Sequence, residues 1–99
     1  MVAHNLYLLP RAQRDLATIW DYSFTLWSET QADRYVAGLH QAMLSLWEAP
    51  LIARERDEIV PPVRLWRYRR HLIVFRVKGR DLHVLGIPGA RQDWVALLG

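Results

Sequence analysis

Cysteine is missing altogether, and lysine occurs once, at Lys78. Without thiols the chain can form no disulfide framework, no thiolate zinc centre and no iron–sulfur cluster, and it suits a reducing compartment. No apolar run approaches the ~18 residues that a membrane-spanning helix requires. The opening Met1-Val2-Ala3-His4-Asn5 has neither the charged start nor the apolar stretch of a secretory signal, so a cytoplasmic location is expected. His4, His40, His71 and His83 form no HExxH motif and no i, i+4 pair. Ser23, Ser28 and Ser45 have no nucleophile elbow around them, and no Gly-Lys-Ser/Thr follows Gly86 or Gly89. The common metal, cofactor and nucleophile templates are therefore excluded. The expectation is no cofactor, no metal site and no catalytic residue.

What the chain does hold is apolar and aromatic. Of 99 residues, 52% are apolar, with five Trp, four Tyr and two Phe. That is enough to offset the entropy of ordering one core and too short for two, so a single domain over residues 1–99 is expected. Charge is split along the chain. Residues 1–53 carry three arginines against five acids, a net of −2, whereas residues 54–99 carry nine arginines and Lys78 against five acids, a net of +5. Arginine is suited to bidentate contacts with carboxylate or phosphate. The basic half points to an acidic partner, with protein favoured over direct contact with nucleic acid.

Asn5–Leu9 is a short apolar run closed by Pro10, which reads as a strand, since the residue before proline is pushed to extended geometry. Pro10 suits the first turn of a helix. Ala12, Leu16, Ile19, Trp20, Phe24 and Trp27 then recur at helical spacing, predicting a helix over about 10–27 with Trp20 and Phe24 buried. Ser23 is the one small polar residue on that stripe. Ser28-Glu29-Thr30-Gln31 has the form of a capping box for a second helix reaching about Glu48, with Leu39, Met43 and Leu46 in the core. Residues 49–63 lack periodicity and read as a solvated loop.

Three strand-like runs follow, at 64–68, 71–77 and 81–87. Gly79 is placed for a type II′ hairpin turn between the last two. The Pro88-Gly89 break is expected to carry Arg91–Leu98 off the sheet. The fold class is thus α+β, in the order β-α-α-β-β-β. A helical hairpin would pack on one face of a mostly antiparallel four-stranded sheet. Arg64, Arg67, Arg69 and Arg70, interleaved with Trp66 and Tyr68 and followed by Arg76, are the main concentration of candidate binding residues.

The order of these pieces resembles the RelE/ParE toxin superfamily. Tyr7-Leu8-Leu9-Pro10-Arg11-Ala12 with Ile19-Trp20-Asp21-Tyr22 is similar to its first strand and helix, and Gln31-Ala32-Asp33-Arg34-Tyr35 to the start of its second helix. Glu48-Ala49-Pro50, the strand 71–77 and the closing Arg91-Gln92-Asp93 complete the match, which spans nearly the whole chain. The helix hairpin and the Arg-x-Asp end resemble the ParE-like branch. One departure is visible: Gly86 and Gly89 stand where many members carry Arg and His.

The resemblance implies a non-enzymatic toxin that poisons DNA gyrase and forms a hetero-oligomer with a ParD-like antitoxin. On that basis Arg91, Asp93 and Trp94 are expected to bind the target, and Arg67, Arg76 and Trp47 the antitoxin. Two alternatives remain at this point. One is a RelE-like ribosome-dependent endoribonuclease in which Arg67, Arg76, His83 and Arg91 would hold the scissile phosphate. The other is a chain that keeps only antitoxin binding.

Overall fold

The computed structural model describes residues 2–98. In chain order it contains β1 (Leu6–Leu8), α1 (Pro10–Leu26), α2 (Glu29–Glu48), a 3₁₀ turn (Pro50–Ile52), β2 (Arg54–Arg56), β3 (Val63–Tyr68), β4 (His71–Lys78), β5 (Asp81–Gly86) and α3 (Trp94–Leu98). The strands form one five-stranded sheet in the order β1-β5-β4-β3-β2. Every neighbouring pair is antiparallel except β1–β5, which is parallel. The sheet is therefore mixed and has five strands where the sequence predicts four.

The additional strand, β2, falls in the stretch read as a solvated loop. Arg54-Glu55-Arg56 has no apolar alternation and leaves no hydrophobic trace. It pairs with β3 in the register Arg54↔Leu65, Glu55↔Arg64, Arg56↔Val63, with Arg64 Nη2 3.5 Å from Glu55 Oε2. A short, charged edge strand blunts further pairing by another chain.

The helices begin and end where their local chemistry directs. Pro10 opens α1, and the Ser28 hydroxyl accepts from the Gln31 N–H at 3.1 Å to cap α2. Gly79, at φ 61, turns β4 into β5 around the pair Lys78↔Asp81. The helix hairpin covers one sheet face. There Leu39, Met43, Leu46, Ile73, Phe75, Leu82 and Val84 are buried together. Ser23 is buried at 3% exposure, as its place on the stripe implies.

Trp20 and Phe24 depart from expectation: Trp20 is half-buried and Phe24 is 49% exposed. The buried line of α1 runs through Ala12, Leu16, Ile19 and Ser23. Trp20 and Phe24 each follow a buried position by one residue, about 100° around the helix. They stack on each other outside, with ring centroids 5.3 Å apart, and the Trp20 indole N–H donates to Asp33 Oδ1 at 2.9 Å. The indole thus ties α1 to the first turns of α2.

The opposite sheet face is not bare. Ile59, Val63, Val74 and Trp94 form a second buried cluster, with Leu65, Leu72, Leu85, Val95 and Leu98 packed around it. This explains why Ile73, Val74 and Phe75 are consecutively buried: β4 is covered on both faces. A bulge between Val74 and Phe75 shifts the β4–β5 register, so that Gly86 faces Val74 and Val84 faces Phe75.

One close approach constrains the sequence of α2. A Cβ built at Gly38 would overlap the Tyr68 hydroxyl and lie 2.6 Å from Tyr68 Cζ. Gly38→Ala is expected to destabilise by about 1–3 kcal/mol, because a rigid ring must leave its packed place. In a Tyr68→Ala background the same change should stabilise by about 1 kcal/mol through helix propensity. Urea unfolding of the four proteins of that cycle measures both, and equal effects in the two backgrounds would contradict the packing.

Candidate functional site

The strand connection β3–β4 is a two-residue turn, Arg69-Arg70, closed by the pair Tyr68↔His71. Arg69 has φ 49, in the left-handed region that glycine or asparagine normally takes. No Gly, Asn or Pro marks this turn in the sequence. Its position sets two arginines at the end of the sheet that meets the start of α2.

Around this turn lies a cleft of about 540 Å³, lined by Trp27, Gln31, Arg34, Tyr35, Tyr68, Arg69 and Arg70. The Arg70 guanidinium lies 5.5 Å from the Trp27 ring centroid, and that of Arg69 5.7 Å from the Tyr68 ring. Such cation–aromatic contacts contribute about 0.5–1 kcal/mol where exposed. Tyr35 supports the floor: its ring meets Tyr68 edge-on at 5.4 Å, and its hydroxyl lies 2.7 Å from His71 Nδ1. The Arg70 N–H donates to the same hydroxyl at 3.2 Å.

Burial raises the Tyr35 pKa, so the hydroxyl keeps its proton. His71 is pushed the other way. Burial lowers its pKa, the Asp15 carboxylate opposes that shift, and Arg70 adds to it. Neutral imidazole can then accept from Tyr35. The unfolded chain takes up this proton near pH 6.5, above the folded value. The contribution of His71 is therefore complete above about pH 6.5 and is lost as the pH falls through the folded pKa. Thermal melts between pH 8 and 5 should show a falling midpoint, and His71→Gln should flatten that decline. An unchanged pH profile in the variant would show that His71 is not held neutral by the fold.

A second cleft of about 580 Å³ adjoins the first through Arg70. It is lined by Arg67, Arg70, Gly89, Ala90, Arg91 and Gln92. Its far wall is the segment after β5, which does not leave the sheet as the Pro88-Gly89 break suggests. Leu72 N–H donates to Pro88 O at 2.9 Å and Ala90 N–H to Arg70 O at 2.8 Å, pinning residues 88–90 beside the start of β4. Gln92 Oε1 accepts from Gly89 N at 2.7 Å, and Asp93 Oδ1 from Ala96 N at 3.2 Å. Gln92 and Asp93 thus shape the chain into α3 and leave the Arg91 side chain exposed.

The residues singled out from the sequence are dispersed. Arg67 and Arg91 share the second cleft. Trp94 is buried at 9% exposure in the second core, with the Arg56 guanidinium 5.6 Å from its ring. Arg76 donates from Nε and Nη2 to Pro61 O at 3.2 and 2.8 Å, so its head group holds the loop before β3. Trp47 is half-buried against the main core near the end of α2. His71 and His83 do not meet across strands: His83 pairs with Arg76 and lies 5.1 Å from the Tyr7 ring.

Arg67 is level with Leu72 on β4, whereas His83 is level with Arg76, four residues further on. At strand rise that is about 13 Å, so Arg67, Arg76, His83 and Arg91 do not converge on one phosphate. A Cβ at Gly86 would meet Leu98 Cδ2 at 2.8 Å and Asp15 Oδ2 at 3.2 Å, so a longer side chain there requires the tips of those two side chains to move. Among the described residues no group of three or more His, Asp or Glu could hold a metal ion, and no helix is long and apolar enough to cross a membrane. Trp27 and Arg34 were not foreseen in the site. The spacing puts Trp27 on the apolar stripe of the first helix, whereas it is the exposed C-cap of α1, and Arg34 gives no signal beyond its charge.

Comparison with known proteins gives the family. The model for the ParE toxin of the type II toxin–antitoxin system parDE matches residues 6–94. Toxin ParE1 of Mycobacterium tuberculosis, in two strains, is 38% identical over 89 residues, covering 88% of this chain and 91% of that protein. A solved structure from the chromosomal ParDE system of P. aeruginosa superimposes with a TM-score of 0.74 at 26% identity, covering 86% of this chain and 94% of that one. The chain belongs to the ParE toxin family of type II toxin–antitoxin systems.

Proposed function

We propose that this toxin acts as one domain in the cytoplasm, poisons DNA gyrase by binding without chemistry of its own, and is neutralised by a ParD-like antitoxin. The observation that carries this reading is the family match over residues 6–94. The dispersal of Arg67, Arg76, His83 and Arg91 supports it against the endoribonuclease alternative, which needs those groups on one phosphate. In the target complex Arg91 is the exposed contact, while Asp93 and Trp94 hold the segment that presents it. Arg side chains of this kind are enriched at binding hot spots.

The antitoxin contacts fall on Arg67, Arg76 and Trp47. Trp47 is accompanied in sequence by exposed Leu44, Leu51 and Ile52, which give an amphipathic segment apolar surface to cover. The relative from P. aeruginosa was solved as part of a ParDE system, which supports a toxin–antitoxin complex here.

The test compares purified protein in two assays: gyrase with supercoiled DNA, and ribosomes with mRNA. Gyrase-dependent DNA cleavage with intact mRNA is the expected result. Arg91→Ala should reduce the gyrase effect about tenfold or more at unchanged thermal midpoint, as for loss of a hot-spot arginine. Cleaved mRNA would establish the ribonuclease reading instead.

A further inference from the structure

Five arginines, Arg34, Arg67, Arg69, Arg70 and Arg91, line the two adjoining clefts, and no Asp or Glu lines either one. All five are exposed, and none takes part in an ion pair among the described residues. Three arginines elsewhere are paired, Arg11 with Asp15, Arg56 with Glu58 and Arg64 with Glu55, whereas Arg14, Arg54, Arg76 and Arg80 have no carboxylate partner among the described residues. Five of the nine arginines without an ion pair thus surround one continuous surface, joined at Arg70. An anion is the ligand that such a surface fits.

The remaining lining groups narrow the class. Trp27 is 49% exposed, with the Arg70 guanidinium carbon 5.5 Å from its ring centroid, and the half-buried Tyr68 ring has that of Arg69 at 5.7 Å. Aliphatic side chains are nearly absent from both clefts, Ala90 being the largest. An acidic peptide that docks as an amphipathic helix needs aliphatic pockets for its apolar anchors. A nucleic-acid strand needs cations for phosphates and flat rings for bases, which is what lines these clefts.

We propose that the two clefts form one track for the phosphodiester backbone of a single-stranded nucleic acid, with the exposed Trp27 ring as the stacking face for an unpaired base. Arg34, Arg69 and Arg70 hold phosphates in the first cleft, and Arg67 and Arg91 continue the track in the second. Arg67 already donates from Nε to Arg69 O at 2.8 Å, which leaves its terminal nitrogens for the ligand. Binding of this kind requires neither gyrase nor antitoxin and is measured on the free toxin.

The test is fluorescence anisotropy with a labelled oligothymidylate of about 20 nucleotides, long enough to exceed the footprint of one small domain. At 50 mM salt the wild type should bind, and log K should fall with log salt at about −0.7 per phosphate contact. Arg34→Ala and Arg70→Ala should each lower that slope by about one contact. Trp27→Ala should weaken binding by about fivefold to a hundredfold at any salt. Arg14→Ala, exposed on α1 outside both clefts, should change nothing. Circular dichroism checks that each variant is folded, and Arg70→Glu offers a charge reversal at an exposed site if an alanine variant is unstable. No binding at 50 mM salt, or binding that these variants leave intact, overturns the proposal. Equal or tighter binding of a labelled DNA duplex of the same length overturns the single-strand assignment. Tighter binding of an oligoglutamate of equal charge makes the surface a peptide site and defeats the proposal.

Discussion

Phe75→Ala is expected to lower the unfolding free energy by about 3–5 kcal/mol, the range for removing a fully buried aromatic ring. Phe75 has 0% exposure and lies on β4, the central strand, between Arg64 of β3 and Val84 of β5. Its ring belongs to the main core beneath the helix hairpin, with Leu39, Met43 and Leu46 supplied by α2. Removing it leaves a cavity that the antiparallel ladders on both sides prevent from closing. Domains of this size are stable by only about 5–15 kcal/mol, so the variant should lose a large share of its stability. Urea unfolding should show a lower midpoint at an unchanged slope. Phe75→Leu, which keeps most of the volume, should cost less than about 1.5 kcal/mol. An alanine effect below about 1 kcal/mol would mean that the helices do not lie on this face of the sheet.

Trp94→Ala should destabilise by a comparable amount, about 3–5 kcal/mol, although Trp94 lies on the other face. It is the one aromatic of the second core, set against Ile59, Val63 and Val74, and the five-residue helix α3 has little else to hold it down. Arg56 covers the ring while its head group is bonded to Glu58. Loss of the indole should therefore release α3 and expose Val63 and Val74 to water. The test is thermal melting followed by circular dichroism, with Arg91→Ala as the exposed neighbour that should leave the midpoint within about 1 °C, the scale of a few tenths of a kcal/mol. Loss of toxicity in Trp94→Ala together with a lowered midpoint marks a residue that presents the C-terminal segment. Loss of toxicity at an unchanged midpoint would mark Trp94 as a direct contact with the target, and the second core would then contribute little.

Much of the helical half was legible from local chemistry. Pro10, the Ser28 cap and the apolar stripes place α1 and α2 within a residue or two, because these signals act over one or two turns. The hairpin at Gly79 was legible for the same reason, since a positive φ selects glycine there. The turn at Arg69-Arg70 was not, because its left-handed residue is an arginine. The strand β2 was invisible, because an edge strand of alternating charge is held by the backbone of β3 and by the Arg64–Glu55 pair.

The candidate site divides in the same way. Arg67 and Arg91 were singled out as separate features for separate partners, one on a strand and one in a closing motif. Only the hydrogen bonds from Leu72 to Pro88 and from Ala90 to Arg70 bring them to one cleft. Trp94 was read as a surface contact because Arg91-Gln92-Asp93 directly precedes it, and nothing local reveals that the second sheet face needs a cover. By itself the sequence determined the helical hairpin, four of the five strands in their order along the chain, the absence of thiol chemistry and the family, since each depends on residues near one another or on their linear order. Tertiary structure alone decided which arginines are left without a carboxylate, which aromatics are covered and which stand open. Those outcomes depend on strand register and on which residues distant in sequence, such as Arg34 and Arg69, come to line one cleft, and no local pattern encodes them.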